Sequence, residues 1–287
     1  MKPLEPPFTL RTMQKHDLPA CQLLKEQLIW NQTLHDWERF LSYNPTGCFV
    51  AEKNHRIVGT VCTIAYQDKF GWVAMVIVDN RHRRLGIGKA LLLAGIQHLR
   101  DRGLTVKLDA TPEGKMLYDT LGFVDEYHAA RMTVKNANLP EPQHICHPIT
   151  PNDWDGICCF DQEAFGASRQ QVLESYFTRY PNYSFLIREN DEITGYITAR
   201  DGSFAFHPGP WVAKSPDAAV SLLCHLIQKR KPENMVLDVL DDNAAIHRSL
   251  KEHQFEQQRP LIRMVLGENL HPGRPEWIYG MSGPELG

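Results

Sequence analysis

The chain has 287 residues, of which 43% are hydrophobic and 23% charged, as is typical of a globular protein large enough for two domains. Its net charge of −3 gives no basic surplus for nucleic acid or membranes, so any anion site must be local. No apolar signal segment opens the sequence and no apolar run is long enough to span a bilayer. We therefore expect a cytoplasmic protein with no nucleic-acid or membrane partner.

The seven cysteines are an odd number and show no paired Cys-x-x-Cys spacing. This pattern favours reduced thiols with structural roles in the cytoplasm. A zinc site built from His144, Cys146 and His147 is the alternative, but it lacks the second cysteine pair of common zinc sites. We expect no bound metal.

Predicted strands and helices alternate through the first half of the chain. The predicted strands are 8–13, 48–53, 56–67, 71–79, 105–110 and 130–135. The predicted helices are Leu18–Trp30, Asp36–Leu41, a segment that ends near Arg102, and Gly114–Leu121. The strand 71–79 is apolar throughout, which predicts burial on both faces. Gly103 lies where a helix C-cap is expected, and Asn54–His55 indicates a hairpin turn.

The same order of elements starts again after a proline-rich segment at 136–148. Helices are predicted within 153–166 and 168–180, followed by a hairpin that turns at Asn190–Asp191 and a strand at 209–214. A short repeat supports a duplication. The interval from Tyr118 to Arg131 equals the interval from Leu250 to Arg263, and Phe123 and Phe255 share one offset. We predict a first domain at 1–135, a linker at 136–148 and a second domain at 149–287.

The segment NRHRRLGIGKALLLAG, residues 80–95, joins the buried strand to a helix through a glycine-containing turn. The first amides of a helix have no intrahelical partners, and the helix dipole adds positive charge there, so this joint suits an anion. Each arginine taken alone also fits a solvated turn. A Rossmann fingerprint is excluded because residue 91 is leucine, and a P-loop is excluded because Ala90 follows Gly88–Lys89.

Arg83, Gly86 and Gly88 form an R-x-x-G-x-G pattern, preceded by AMVIVDN and followed by TPEGKMLYDTLGF. Over residues 8–135 this order of motifs strongly resembles the GNAT superfamily of acetyl-CoA-dependent N-acetyltransferases. The resemblance implies an α/β fold, with a central mixed β-sheet flanked by helices in each of two tandem domains.

The resemblance also implies an acetyl-CoA site in the first domain. The backbone of Ile77 and Val78 is expected to bind the pantetheine arm, and backbone amides from Arg83 to Lys89 the pyrophosphate. The full set of expected cofactor-binding residues is Ile77, Val78, Arg83, Arg84, Leu85, Gly86, Ile87, Gly88, Lys89, Ala90, Thr111 and Gly114. Thr111 stands where many family members have an asparagine near the CoA arm.

Tyr118 matches the family's tyrosine that protonates the departing CoA thiolate. A phenol suits this role because it keeps its proton at neutral pH. The alternative is a core tyrosine packed between helix and sheet. Trp30 and Asn31 lie where family members often line the acceptor pocket, although Trp30 also fits a core position.

The general base has no clear candidate. Many family members use a glutamate on the buried strand, but WVAMVIV has no carboxylate, and Asp79 at its end is expected to cap the turn. Glu26, His35, Asp36 and a chain of waters remain open.

The second copy lacks these features. Leu250 stands in place of Tyr118, and Ser215–Pro216–Asp217 replaces the glycine turn with an ordinary helix start. Asn243, however, retains the asparagine that Thr111 replaces in the first copy. The second domain therefore resembles a GNAT domain without catalysis of its own. As a hypothesis, Phe165, Arg169 and the terminal segment 274–287 wall the acceptor pocket.

These patterns together predict an N-acetyltransferase that transfers the acetyl group of acetyl-CoA to a small-molecule amine or a peptide amine. The alternative is a non-catalytic acyl-CoA-binding or regulatory protein. A different acyl donor stays open, and the sequence does not indicate the oligomeric state.

Overall fold

The structure is a computed structural model that describes residues 8–287. Contacts between Cα atoms divide the chain into two compact units, Met1–Lys107 and Leu108–Gly287. We describe each unit by itself.

The first unit is a mixed sheet flanked by three helices. Its strands, in the order β1-β2-β3-β4-β5, are antiparallel except for the parallel pair β4 and β5. The strands are β1 (Thr9–Thr12), β2 (Phe49–Lys53), β3 (Arg56–Tyr66), β4 (Phe70–Val78) and β5 (Thr105–Ala110), which crosses into the second unit. The helices are α1 (Leu18–Glu26), α2 (Leu34–Tyr43) and α3 (Ile87–Arg100).

Local sequence signals explain most of these elements. Asn54 and His55 form the predicted hairpin turn at φ 49° and 59°, the left-handed conformation that two-residue turns require. Gly103, at φ 73°, follows α3 and caps it, as predicted. The prediction that the first helix continues to Trp30 is wrong, because α1 ends at Glu26 and Ile29 is left-handed at φ 54°.

The second unit is built on the sheet order β12-β6-β11-β10-β9-β8-β7, with β13 paired to β10. All its strand pairs are antiparallel except β10 with β11. The strands are β6 (Val124–Lys135), β7 (His147–Pro148), β8 (Phe185–Glu189), β9 (Glu192–Asp201), β10 (Phe206–Ala213), β11 (Asn234–Leu240), β12 (Glu256–Leu266) and β13 (Ile278–Gly280). The helices are α4 (Pro112–Thr120), α5 (Trp154–Phe165), α6 (Gln170–Arg179), α7 (Pro216–Arg230) and α8 (Ala244–Glu252).

The chain runs through the same series of elements twice, β-α-α-β-β-β-α-β-α-β, and then adds β13. The expected mixed sheets with flanking helices are confirmed. The compact units nevertheless divide at residue 107, not at the predicted boundary of 135. The reason is β6, which ends the first series but lies between β11 and β12 of the second. The predicted domain boundaries at 135 and 148 stay a prediction.

Within residues 8–287, no helix is long and apolar enough to cross a membrane.

Candidate active site

The last part of β4 has no register with β5. Its register with β5 ends at Trp72↔Lys107, although β4 continues to Val78. A bulge lies in this free portion, because Val61 of β3 faces both Met75 and Val76. Met75 is left-handed at φ 54°, and the Thr60 hydroxyl donates a hydrogen bond to the Met75 carbonyl oxygen at 2.8 Å. Such a bulge redirects the backbone groups that follow it, here those of Ile77 and Val78.

The predicted glycine turn connects this strand to the start of α3. Gly86 is the N-cap at φ 81°, a conformation that favours glycine. The first hydrogen bond within α3 runs from the Ala90 amide to the Gly86 carbonyl at 3.0 Å. The amides of Ile87, Gly88 and Lys89 therefore lie at the helix end without intrahelical partners, as an anion site requires.

Neither conformation nor crowding requires glycine at position 88. A Cβ on Gly88 would meet only Val78 Cγ2, at 3.4 Å, which is an ordinary contact. In a helix interior, glycine costs about 1 kcal/mol relative to alanine. The side chains of Arg83, Arg84, Leu85 and Lys89 around it are exposed, so the basic groups of this turn face solvent.

Asp79 caps this turn, as expected from the sequence. Its carboxylate accepts hydrogen bonds from the Arg81 amide at 2.8 Å and from the Arg81 guanidinium at 3.1 Å. The hydrogen bond from the Arg81 side chain lowers the pKa of Asp79 to about 2. A carboxylate that holds protons so weakly is a poor general base for an amine.

The other base candidates differ in their surroundings. Asp36 accepts hydrogen bonds from the amide and hydroxyl of Thr33, at 2.6 and 3.0 Å, and from Arg39, so it caps α2. His35 lies 3.3 Å from Glu38. Glu26 is exposed at the end of α1. None of these contacts marks Glu26, His35 or Asp36 as the general base.

Tyr118 belongs to α4, in the second compact unit. Its ring leans back over the preceding helical turn, where a Cβ on Gly114 would be 2.9 Å from Tyr118 Cε2. Burial raises the pKa of Tyr118 to about 12. Thr111 is the N-cap of α4, and its hydroxyl accepts a hydrogen bond from the Gly114 amide at 3.4 Å. Gly114 thus accommodates the tyrosine ring, a role that the sequence did not suggest.

The two predicted acceptor-pocket residues lie after α1. Trp30 is half-buried, and its carbonyl oxygen accepts a hydrogen bond from Lys25 Nζ at 3.1 Å. Asn31 is buried. Their role toward an acceptor stays a prediction.

The corresponding joint of the second unit is an ordinary helix start. Ser215 is the N-cap of α7, and its hydroxyl accepts a hydrogen bond from the Ala218 amide at 3.3 Å. Pro216 and Asp217 follow in the first turn. Leu250, at the position of Tyr118, is buried in the hydrophobic core of this unit.

Several charged residues of the second unit are buried in ion pairs that the sequence gave no sign of. Arg131 of β6 makes two hydrogen bonds to Asp238 of β11, at 2.8 and 2.7 Å, and Arg263 of β12 makes two to Asp109, both at 2.9 Å. Arg169 binds Asp161 and also donates to the Ser282 hydroxyl at 2.9 Å. Phe165 is buried, with the Arg169 guanidinium above its ring. That these residues wall an acceptor pocket stays a prediction.

The cysteines do not form a metal site in the part of the chain that the structure describes. Cys146 donates a hydrogen bond to the His144 carbonyl oxygen at 3.7 Å, and within residues 8–287 no group of three metal-ligating side chains is found.

Comparison with known protein families decides the assignment of both halves. Residues 14–123 match the Acetyltransferase (GNAT) family, and residues 157–280 match a second Acetyltransferase (GNAT) domain family. The chain carries two GNAT domains. The first match contains the glycine turn and Tyr118, and the second contains Ser215, Asp217 and Leu250.

Sequence relatives of this GNAT protein include acyltransferases. It is 25% identical over 281 residues to the holothin acyltransferase of a Pseudoalteromonas species, and the aligned segment covers 96% of this chain and 94% of that protein. It is 39% identical over 85 residues to the mycothiol acetyltransferase of Thermomonospora curvata, covering 28% of this chain and 29% of that protein. The GNAT protein is therefore an acyltransferase, which favours the enzyme over the non-catalytic alternative.

Solved structures share the fold. A candidate acetyltransferase from Pyrococcus horikoshii has a TM-score of 0.82 at 23% identity, covering 100% of this chain and 99% of that one. A tandem GNAT protein from the clavulanic acid biosynthesis pathway has a TM-score of 0.61 at 12% identity, covering 90% and 98%. At these identities the likeness concerns the fold, including its tandem arrangement.

Proposed function

We propose that the protein transfers the acetyl group of acetyl-CoA to a primary amine, with acetyl-CoA bound along β4 and the start of α3. One observation carries this proposal. The turn after β4 presents the amides of Ile87, Gly88 and Lys89 at a helix start, and neither packing nor conformation requires the glycine at position 88. A missing side chain at this point leaves room for a diphosphate to approach the backbone.

Different segments of the proposed site bind different parts of acetyl-CoA. Backbone groups of Ile77 and Val78 bind the amides of the pantetheine arm, and backbone amides from Arg83 to Lys89 bind the pyrophosphate. Ala90 follows them, and its amide binds the Gly86 carbonyl oxygen. The exposed guanidinium groups of Arg83 and Arg84 add positive charge. Thr111 and Gly114 contribute through α4, Thr111 as its cap and Gly114 as the space for Tyr118.

In the proposed reaction the neutral amine attacks the thioester carbonyl carbon, the new C–N bond forms and the C–S bond breaks. Tyr118 donates its proton to the departing thiolate and regains one from solvent. Its raised pKa supports this role because the phenol keeps its proton near pH 7. The amine gives its proton to water, because the low pKa of Asp79 makes that carboxylate unsuitable.

We propose a small-molecule amine as the acceptor, since two acyltransferase relatives are named for holothin and mycothiol. Trp30 and Asn31 are the proposed acceptor-side residues. The second GNAT domain, with Leu250 and Ser215–Pro216–Asp217, is proposed to have no catalysis of its own.

The test measures thiol release from acetyl-CoA with a panel of small amines and peptides, for the native chain and for Tyr118→Phe. We expect turnover with at least one small amine, and a lower kcat in the variant with little change in acetyl-CoA affinity. Turnover with peptides alone would contradict the proposed acceptor class. Binding of acetyl-CoA without thiol release for any amine would contradict the proposed reaction.

A further inference from the structure

The terminal segment Ile278–Gly287, which we call the tail, enters the sheet of the second unit. β10 and β11 are paired only at Phe206↔Met235 and then diverge. The tail strand β13 fills the resulting gap. It pairs antiparallel with β10, at Trp211↔Gly280 and Val212↔Ile278. On its other side, the Met281 amide donates a hydrogen bond to the Asp238 carbonyl oxygen of β11 at 2.9 Å.

This gap corresponds to the free edge of β4 in the first unit. There too, the parallel pair separates, after Trp72↔Lys107. Both units place a bulge just beyond the separation, and in both a threonine hydroxyl of the preceding strand binds the bulged carbonyl. Thr60 donates to Met75 at 2.8 Å, and Thr198 donates to Gly209 at 3.2 Å. The edge that the tail covers in the second unit is thus the one that the proposed function assigns to pantetheine in the first.

Asn243 supplies a second correspondence. It stands at the sequence position where many GNAT members have an asparagine near the CoA arm. In this structure its Nδ2 donates a hydrogen bond to the Ile278 carbonyl oxygen of the tail at 2.9 Å. A backbone carbonyl of the tail therefore takes the hydrogen bond that this asparagine is placed to give.

Side chains fix the tail in the gap. Tyr279 packs in one hydrophobic cluster of the second unit, and Ile278 and Met281 pack in the other. Beyond the strand, the Tyr176 hydroxyl donates to the Ser282 carbonyl oxygen at 2.9 Å. Glu285 forms a buried ion pair with Arg200 at 3.0 Å. These contacts make the tail part of the folded unit.

The tail also approaches the bulge too closely for another occupant. A Cβ on Gly209 would lie 1.9 Å from the Met281 carbonyl oxygen, and one on Gly280 would lie 3.3 Å from Trp211 Cβ. Glycines on both strands thus permit this close contact. At the neighbouring helix start, Asp217 opposes a diphosphate by charge.

We propose that the tail is a built-in substitute for the pantetheine arm. By filling the gap between β10 and β11, the tail completes the sheet of the second unit and prevents acyl-CoA from binding there. The chain then binds a single acyl-CoA, along β4 and the start of α3. This inference rests on the proposed function, because it assumes that the pantetheine arm binds along β4.

Titration of the full chain with acetyl-CoA, combined with amide hydrogen exchange, tests the proposal. We expect one acetyl-CoA per chain, with new protection in residues 73–90 and none in 206–217. Two molecules per chain, or new protection in 206–217, would overturn the inference. Absence of any acetyl-CoA binding would instead contradict the proposed function. The role of the tail would then be tested by the shortened chain described next.

A chain that ends at residue 273, and so lacks the tail and the four residues before it, tests the tail directly. We expect amide exchange in residues 206–213 to become at least about tenfold faster than in the full chain. A peptide of residues 274–287 should restore slow exchange, and a peptide with the same residues in scrambled order should not. Equal exchange in the full and shortened chains would overturn the proposal.

If the shortened chain does not fold, Met281→Pro replaces it, because proline removes the amide that binds Asp238. Met281→Leu is the matched control and keeps that amide. Faster exchange of 206–213 in the proline variant alone supports the proposal, and identical exchange in both variants contradicts it.

Discussion

Gly88 and Val78 lie just far enough apart for a Cβ atom on Gly88, which would be 3.4 Å from Val78 Cγ2. We therefore expect Gly88→Leu to fold with a free energy of unfolding within about 1 kcal/mol of the native value, because leucine is the better helix former. Its affinity for acetyl-CoA should fall at least about tenfold, since the side chain occupies the proposed diphosphate position. Gly88→Ala is the matched control, with a smaller loss. Equal affinity of the leucine variant, measured by calorimetry, would argue against this site.

Gly86 differs from Gly88 because its backbone is left-handed, at φ 81°, while no atom beyond its neighbours in the chain lies within 4 Å of a Cβ built on it. We expect Gly86→Ala to destabilise the protein by about 1–2 kcal/mol through backbone strain alone. Urea unfolding measures this difference. A variant as stable as the native protein would show that the turn adopts another conformation.

Tyr118→Phe should lower kcat by about 100-fold or more if the phenol is the general acid, with acetyl-CoA affinity nearly unchanged. Tyr180→Phe, at a half-buried tyrosine outside the proposed site, serves as the control. Because burial raises the pKa of Tyr118 to about 12, the native kcat should not fall through ionisation of this group between about pH 8 and about pH 10. An equal kcat in the native enzyme and in Tyr118→Phe would show that Tyr118 is a packing residue and not the general acid.

Asp79→Asn distinguishes a capping role of Asp79 in the turn after β4 from a role as the general base. Arg81 lowers the pKa of Asp79 to about 2, so the ionised carboxylate stabilises the folded state above its ordinary pKa near 4. This stabilisation is lost as the pH falls from about 4 to about 2, and it is small because solvent screens the exposed Arg81. Thermal unfolding at neutral and acid pH should show a smaller pH dependence for the asparagine variant, and its kcat should remain within about threefold of the native value. A loss of kcat comparable with that of Tyr118→Phe would instead identify Asp79 as the base.

Arg131→Met tests the pairing of β6 with β11. The variant leaves Asp238 buried without its two hydrogen bonds from Arg131, which costs about 3–5 kcal/mol in comparable buried pairs. The double variant Arg131→Met, Asp238→Leu should recover part of this loss, because no uncompensated charge remains. A single variant as stable as the native chain would contradict the burial of this ion pair.

The strands and helices of the first unit follow from local signals that the sequence displays. The apolar run in β4, the Asn54–His55 turn and the Gly103 cap each act within a few residues, so their positions could be predicted. The same holds for the glycine turn, because a left-handed Gly86 before a helix is a local conformation. The duplicated order of elements was also visible, since Tyr118 to Arg131 and Leu250 to Arg263 repeat one interval.

Tertiary structure alone decided which strands pair across the two copies. The residues of β6 show no local preference for β11 over any other strand, because strand pairing depends on neighbours far away in sequence. For the same reason Arg131 and Arg263 look like surface charges in the sequence, yet their carboxylate partners lie 107 and 154 residues away. The tail is the clearest case. Its strand β13 has three residues, too few for a sequence pattern, and they become a strand because β10 and β11 separate and leave backbone groups with which β13 pairs.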